Sequence, residues 1–253
     1  MDLGLKGKKA IVTGGTKGIG RRCAEGLAAE GVDVAICARN ADDVKATVKA
    51  LAAKGVKAFG SAVDVGDAAA LRNWVASAAK DLGGIDIVVS NVSALAINPD
   101  EESWQKEFNV DMMGTVRVIE TAMPWLEKSA AASVVVISSV SGVEIDFAAG
   151  PYGAMKAALI HYAAGLSNKL APKHIRVNTV SPGNTYFPGG VWNQIEQGMP
   201  DLYKSSLAAN PMGRMAKPEE VANGVVFLAS PAASFITGTN LMVDGALTKR
   251  VQF

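Results

Sequence analysis

Tyr152 and Lys156 stand four residues apart at the head of an Ala-rich apolar stretch. On a helix that spacing puts the phenol and the ammonium one turn apart on one face. A phenol has an ordinary pKa near ~10, and an adjacent ammonium favours its phenolate, so such a pair can exchange a proton near neutrality. Tyr and Lys at this spacing also occur as simple packing plus a solvated charge, so their surroundings must decide. Ser139 lies thirteen residues before Tyr152, at the end of the apolar run Ser133 to Ser138. Asn109 sits inside a long helical stretch, where its side chain competes with the backbone, and the bland alternative is a harmless exposed residue.

A second constellation follows the first apolar run: Thr13-Gly14-Gly15-Thr16-Lys17-Gly18-Ile19-Gly20, then a helical pattern. Glycines there let the backbone turn tightly and approach a diphosphate, whose charge is met by the free amides and positive end of the helix. Alone this is a weak signal; its place after a buried strand and before a helix strengthens it. At the end of the second strand an acid would bind a ribose 2′-hydroxyl, but the chain has Ala38, Arg39 and Asn40. Arg39, with Lys17 from the glycine turn, could instead hold a 2′-phosphate, which favours NADP(H) over NAD; two solvated surface cations are the plain alternative.

These groups need a scaffold that aligns them. Short apolar runs at Lys9 to Thr13, Asp33 to Ala38, Val56 to Val63, Ile85 to Ser90, Ser133 to Ser138, Ile175 to Val180 and Asn240 to Val243 read as parallel strands buried on both faces. Helical patterns alternate with them at Gly18 to Glu30, Ala41 to Lys54, Asp67 to Leu82, Ser103 to Lys128, Tyr152 to Leu170 and Glu219 to Leu228. The alternation predicts an α/β fold: a single doubly wound parallel sheet of about seven strands with helices on both faces, ligands binding at the carboxyl ends of the strands. No internal repeat or linker breaks it, so residues 1–253 read as one Rossmann-type domain.

The exception is the segment from Pro182 to Met215, with four prolines and five glycines. Its residues 184–215 read as a substrate lid, with Tyr186, Phe187 and Trp192 facing an apolar or ring-shaped substrate; a helix pair packing on its own core is the competing reading.

Composition bounds the rest. The chain has 253 residues, 49% hydrophobic and 19% charged, with a formal net charge of +1, which suits a globular core and gives no bulk basic field for nucleic acid. No apolar run approaches the ~18 residues of a membrane span, and the start does not read as a signal peptide, so a cytoplasmic location is expected. Cys23 and Cys37 read as small buried hydrophobes, and neither His161 nor His174 has a partner at metal-ligand spacing, so no metal is expected.

Together the motifs resemble the short-chain dehydrogenase/reductase family over nearly the whole chain. Its T-G-x-x-x-G-x-G pattern matches Thr13, Gly14, Gly18 and Gly20, and its Y-x-x-x-K matches Tyr152 and Lys156. The resemblance implies a catalytic set of Asn109, Ser139, Tyr152 and Lys156. Ser139 would orient the substrate oxygen, Tyr152 would exchange a proton with it, Lys156 would tune the tyrosine and bind the nicotinamide ribose, and Asn109 would hold a water linking the lysine to solvent. It further implies Asp64 and Val65 as an adenine contact, Asn91 as the contact after strand four, and Pro182-Gly183 as the nicotinamide-side loop. Two departures stand out. Asn91-Val92-Ser93 replaces the usual Asn-Ala-Gly, and Phe187 occupies the place of a carboxamide-binding threonine, leaving Thr185 two residues earlier.

The implied activity is hydride transfer between NADP(H) and a carbonyl or secondary alcohol, apolar or cyclic, in the manner of a ketone or 3-oxoacyl reductase. An NAD-dependent catabolic alcohol or diol dehydrogenase is the second reading and a non-catalytic dinucleotide-binding protein the third. The family resemblance also implies a homotetramer built through the helices at Ser103 to Lys128 and Tyr152 to Leu170.

Overall fold

β-branched and alanine-rich runs set the sheet, buried on both faces in its middle, whereas the edge segment 58–62, expected to be buried, has residues 60–62 exposed. A computed structural model of the chain describes residues 2–249 and 251. The strands are β1 (Lys9–Thr13), β2 (Asp33–Ala38), β3 (Ala58–Ala62), β4 (Ile87–Ser90), β5 (Ser133–Ile137), β6 (Arg176–Pro182) and β7 (Asn240–Val243). They form one parallel sheet in the order β3-β2-β1-β4-β5-β6-β7. Because strand side chains alternate, β1 sends Ile11 to one core and Ala10 and Val12 to the other. The order reverses between β1 and β4, and that switch opens a crevice at their carboxyl ends.

The helices are α1 (Gly18–Ala29), α2 (Ala41–Ala52), α3 (Ala68–Leu82), α4 (Glu101–Glu107), α5 (Met113–Leu126), α6 (Pro151–Leu170), α7 (Val191–Gly198), α8 (Pro200–Ala208) and α9 (Pro218–Ala229). Helices α3, α5 and α6 bury Trp74, Ile119 and Leu159 against one face of the sheet, while α1, α2 and α9 bury Leu27, Leu51 and Val225 against the other. Side chains fix several starts: Asn40 accepts from the Asp43 amide, and Asp67 from those of Ala69 and Ala70. Pro151 opens α6, where its missing N–H costs nothing.

Besides shifts of a residue or two at strand ends, two features near the site stand out. The continuous helix expected from Ser103 to Lys128 is interrupted by a π-helical turn at Phe108–Met112, and such turns recur at functional sites. The segment after β6 contains the α7–α8 pair, which has a small core of its own in Trp192, Ile195 and Met215. No helix among the described residues is long and apolar enough to cross a membrane.

Candidate active site

The glycine turn is shaped by missing side chains. Gly14 and Gly18 have φ of +66° and +52°, in the left-handed region open to glycine. A Cβ on Gly20 would lie 2.3 Å from both Asn91 Nδ2 and the Gly14 carbonyl oxygen. Asn91 ties the ends of β1 and β4 together, its amide donating to the carbonyls of Thr13 at 3.2 Å and Gly14 at 3.3 Å and its backbone N–H to Thr13 Oγ1. Lys17, which precedes α1, places no side chain on the first amides of that helix. An uncapped helix start beside a turn that excludes Cβ atoms fits a diphosphate, so the residues present suit a dinucleotide. Thr16 is buried within the turn and Ile19 lies in the first turn of the helix.

The other residues expected around a dinucleotide have definite surroundings. Arg39 is exposed at the end of β2, but Asn40 is occupied in capping α2. Lys17 Nζ lies 2.9 Å from Asp43 Oδ2, so a neighbouring acid competes for the charge expected to face a 2′-phosphate. After β3, Asp64 accepts from the Gly66 amide and Val65 is buried. Pro182 closes β6, and Thr185 Oγ1 donates back to the Gly183 carbonyl at 3.0 Å.

Close packing joins the end of β5 to α6. Ser138 Oγ donates to the Lys156 carbonyl at 2.8 Å. A Cβ on Gly142 would lie 2.7 Å from the Lys156 carbonyl carbon, and one on Gly153 would lie 2.9 Å from the carbonyl oxygens of Ser141 and Ala148. These contacts hold the loop after β5 against the first turns of α6. Lys156 Nζ stands 5.5 Å from the centre of the Tyr152 ring and donates to the Ile137 carbonyl at 3.2 Å. Ser139 donates to Ser141 Oγ and stands near enough to the Tyr152 phenol to lower its proton affinity. Ser139, Tyr152 and Lys156 therefore meet at the carboxyl edge of the sheet.

Asn109 does not join them through its side chain. Its amide donates to the Gly66 carbonyl at 3.0 Å, and its oxygen accepts from Arg117 at 2.9 Å. The group facing Lys156 is Asp111, two residues further on, with Oδ2 at 2.9 Å from Nζ, both residues being buried. One turn earlier, Glu107 is buried as well. Each acid anchors one oxygen on the loop after β4: Asp111 Oδ1 accepts from the Ala94 amide at 2.7 Å and Glu107 Oε1 from that of Ala96 at 2.6 Å. A sequence signal was present. Ser103, Glu107, Asp111 and Thr115 recur every fourth position on the face that also buries Val118 and Ala122, so two acids occupy core-facing places.

Burial and these charges set the proton affinities. Burial first, then the Asp111 charge, pushes the Glu107 carboxyl up to about 7. For Lys156 burial is the largest influence and favours the neutral amine, but Asp111, Tyr152 and Glu107 together outweigh it and hold its pKa above the ordinary value. Tyr152 is held above its ordinary value, chiefly by burial and further by Asp111 and Glu107, against the lowering by Lys156 and Ser139. The lysine thus acts in the direction expected from the sequence, but it does not by itself make the phenol acidic.

The aromatic residues of the 184–215 segment divide. Trp192 packs edge-on against Phe147 at 5.7 Å, joining α7 to the loop before Tyr152. Phe187 lies over the glycine turn, where a Cβ on Gly18 would come 2.5 Å from its Cζ. Tyr186 turns the other way, its hydroxyl donating to Glu196 at 2.5 Å and its ring packing on Tyr203. An open depression of about 620 Å³, lined by Ser141, Ile145 and Ala149 among others, flanks the start of α6.

Comparison with known proteins accords with this geometry. The family profile described as enoyl-(acyl carrier protein) reductase matches residues 14–248. Isoepoxydon dehydrogenase patN of Penicillium expansum is 39% identical, the alignment covering 100% of this chain and 99% of that protein. Dehydrogenase/reductase SDR family member 4 of Homo sapiens is 34% identical, covering 98% of this chain and 90% of that protein. Among solved structures, L-sorbose reductase from Gluconobacter frateurii, complexed with NADPH and L-sorbose, superposes with a TM-score of 0.91 at 30% identity, covering 99% of this chain and 100% of that one. The chain belongs to the short-chain dehydrogenase/reductase family.

This short-chain dehydrogenase/reductase is an oxidoreductase acting on the alcohol/carbonyl couple. An NADPH-bound short-chain oxidoreductase from Pseudomonas aeruginosa PAO1 with an atypical catalytic center also shares the fold, with a TM-score of 0.89 at 27% identity, covering 96% of this chain and 98% of that one. Within the present member of the family, Cys23 and Cys37 are buried hydrophobes, their thiols pushed up to about 12 by burial.

Proposed function

We propose that the protein transfers hydride between NADP(H) and an apolar or cyclic carbonyl/alcohol pair, with Ser139, Tyr152 and Lys156 as its catalytic residues. The observation that carries this reading is the meeting of a hydroxyl, a phenol and a buried ammonium beside a glycine turn fitted to a diphosphate. The amides from Gly14 to Gly20, together with Asn91, would hold the dinucleotide, and Arg39 with Lys17 would meet its 2′-phosphate. NADPH and NADP complexes among the similar structures support that choice of cofactor.

The bound cofactor supplies the hydride. Ser139 holds the substrate oxygen, and Tyr152 gives it a proton in reduction and takes one in oxidation. Lys156, charged at rest, stabilises the phenolate left behind. Phe147, Phe187 and Trp192 supply an apolar wall, which favours a hydrophobic or ring-shaped substrate. Residues 184–215 serve as the lid over it, within one dinucleotide-binding domain, in which the Tyr186 hydroxyl is engaged by Glu196. A homotetramer is part of the same proposal: α6 exposes the small residues Ala157, Ala164 and Gly165, and Phe108 is half exposed. The protein would act in the cytoplasm.

Tyr152→Phe tests the assignment. It is expected to bind NADPH with unchanged fluorescence titration while turnover on a panel of ring ketones falls about 100- to 10,000-fold. Unimpaired turnover would overturn the assignment, and faster catalysis with NADH than with NADPH at equal concentration would overturn the choice of cofactor.

A further inference from the structure

The site buries two carboxyl groups against one ammonium. Glu107 and Asp111 are 0% exposed and Lys156 is 2% exposed. Each acid has one oxygen fixed by a backbone amide of the loop after β4, which leaves the other oxygen to account for. Asp111 Oδ2 is paired with Lys156 by charge, without an aligned hydrogen bond, and Glu107 Oε2 has no hydrogen-bond partner among the described residues. If both acids were ionised, the cluster would hold an excess negative charge out of water, with one carboxylate oxygen unpaired. A single proton between the two acids removes the excess.

We propose that Glu107 and Asp111 share one exchangeable proton and form the proton store behind Lys156, in the place where the sequence suggested a water held by Asn109. This rests on the proposed function above. In carbonyl reduction the Tyr152 O–H bond breaks as its proton passes to the substrate oxygen. A proton from Lys156 Nζ restores the phenol, and the shared carboxyl proton restores the ammonium through Asp111 Oδ2. Two carboxylates and one ammonium remain until a proton from water refills the pair. In alcohol oxidation each transfer reverses, and the pair receives the proton. No electron passes through it.

The groups facing Glu107 fit this role. On its own helical segment it meets Asp111, on α6 it meets Lys156 and the Tyr152 phenol, and from the loop after β4 the Ala96 amide reaches it. Its raised proton affinity, near about 7, suits a group that fills and empties in neutral solution. The π-helical turn at Phe108–Met112 carries Asp111 into this cluster, which gives that irregularity a function. Glu107 and Asp111 act through Lys156 and are positioning and relay residues.

The test uses the NADPH-loaded enzyme and two variants. Glu107→Gln keeps an oxygen for the Ala96 amide but cannot hold an exchangeable acid proton. The expected result is a fall in kcat on the order of tenfold, smaller than for loss of a direct proton donor, with unchanged KM for NADPH and loss of the neutral limb of the kcat–pH profile. Asp111→Asn is expected to shift that limb. Infrared difference spectra across neutral pH supply a readout independent of turnover: a protonated-carboxyl band that titrates in the wild type, vanishes in Glu107→Gln and moves in Asp111→Asn. A wild-type spectrum without such a band, or a Glu107→Gln enzyme with the wild-type pH profile, would overturn the proton store. Persistent turnover by Tyr152→Phe would instead overturn the functional reading beneath it.

Discussion

The two walls of the crevice are built by opposite means. On the β1 side, the glycine turn works by leaving atoms out: a Cβ at Gly20 would meet Asn91 and the Gly14 carbonyl at 2.3 Å, and Phe187 lies against the bare backbone of Gly18. On the β5 side, the site is crowded with polar and charged side chains, with Lys156, Asp111 and Glu107 all out of water. The first wall needs a backbone shape that local sequence can specify. The second needs charges from separate elements brought to within an ion pair of one another, and its properties change with every proton it gains or loses. The contrast implies that the glycine wall is sensitive to added volume and the charged wall to pH.

The sharpest probe of the contrast is Gly20→Ala. The added methyl must displace Asn91 or the turn, which is expected to cost about 1–3 kcal/mol in denaturant unfolding and to abolish NADPH binding in a fluorescence titration. Retained binding would show that the turn is not the dinucleotide cradle.

The charged wall is expected to answer through pH. Because folding raises the Glu107 pKa from its ordinary 4.5 to about 7, the native state holds more protons than the unfolded chain between those values, so stability falls as pH rises from 4.5 through 7 and levels off above. Glu107→Gln should remove that slope and leave the protein more stable than wild type at pH 8, by on the order of 1–3 kcal/mol, in urea titrations at several pH values. An unchanged slope would place the ionisation elsewhere.

Two smaller effects lie at the rim of the glycine wall. Arg39→Ala is expected to raise the KM for NADPH about tenfold to a hundredfold while leaving NADH unaffected, the loss of one charge-assisted bond. Asp43→Asn frees Lys17 from its exposed partner and is expected to lower the NADPH KM by at most about fivefold, since surface ion pairs are weak. A parallel change for NADH would detach both residues from the 2′-phosphate.

The legible parts of the site follow the same division. β1, β2 and β7 have the bounds read from their apolar runs, since each such segment can be buried only by lying inside a parallel sheet. The Asn109 side chain does not reach Lys156. Its place came from the family resemblance and not from the helix face; its side chain is taken up by the Gly66 carbonyl and Arg117, and Asp111, on the buried face, comes to Lys156. Tyr186 was read as facing substrate because its neighbours are apolar, yet its hydroxyl finds Glu196 within its own helix pair. Burial of a side chain on one or the other side of a loop leaves no period in the sequence.

By itself the sequence determined the alternation of strands and helices, the bare turn of glycines and the one-turn spacing of Tyr152 and Lys156, because each depends on backbone preferences and contacts within a few residues. Only the tertiary structure decided which acids stand behind the lysine, how strongly they hold a proton and which aromatic rings line the crevice. Those properties arise where the loop after β4, the π turn and α6 pack together, and the desolvation and charge that govern them exist only once the chain has closed around them.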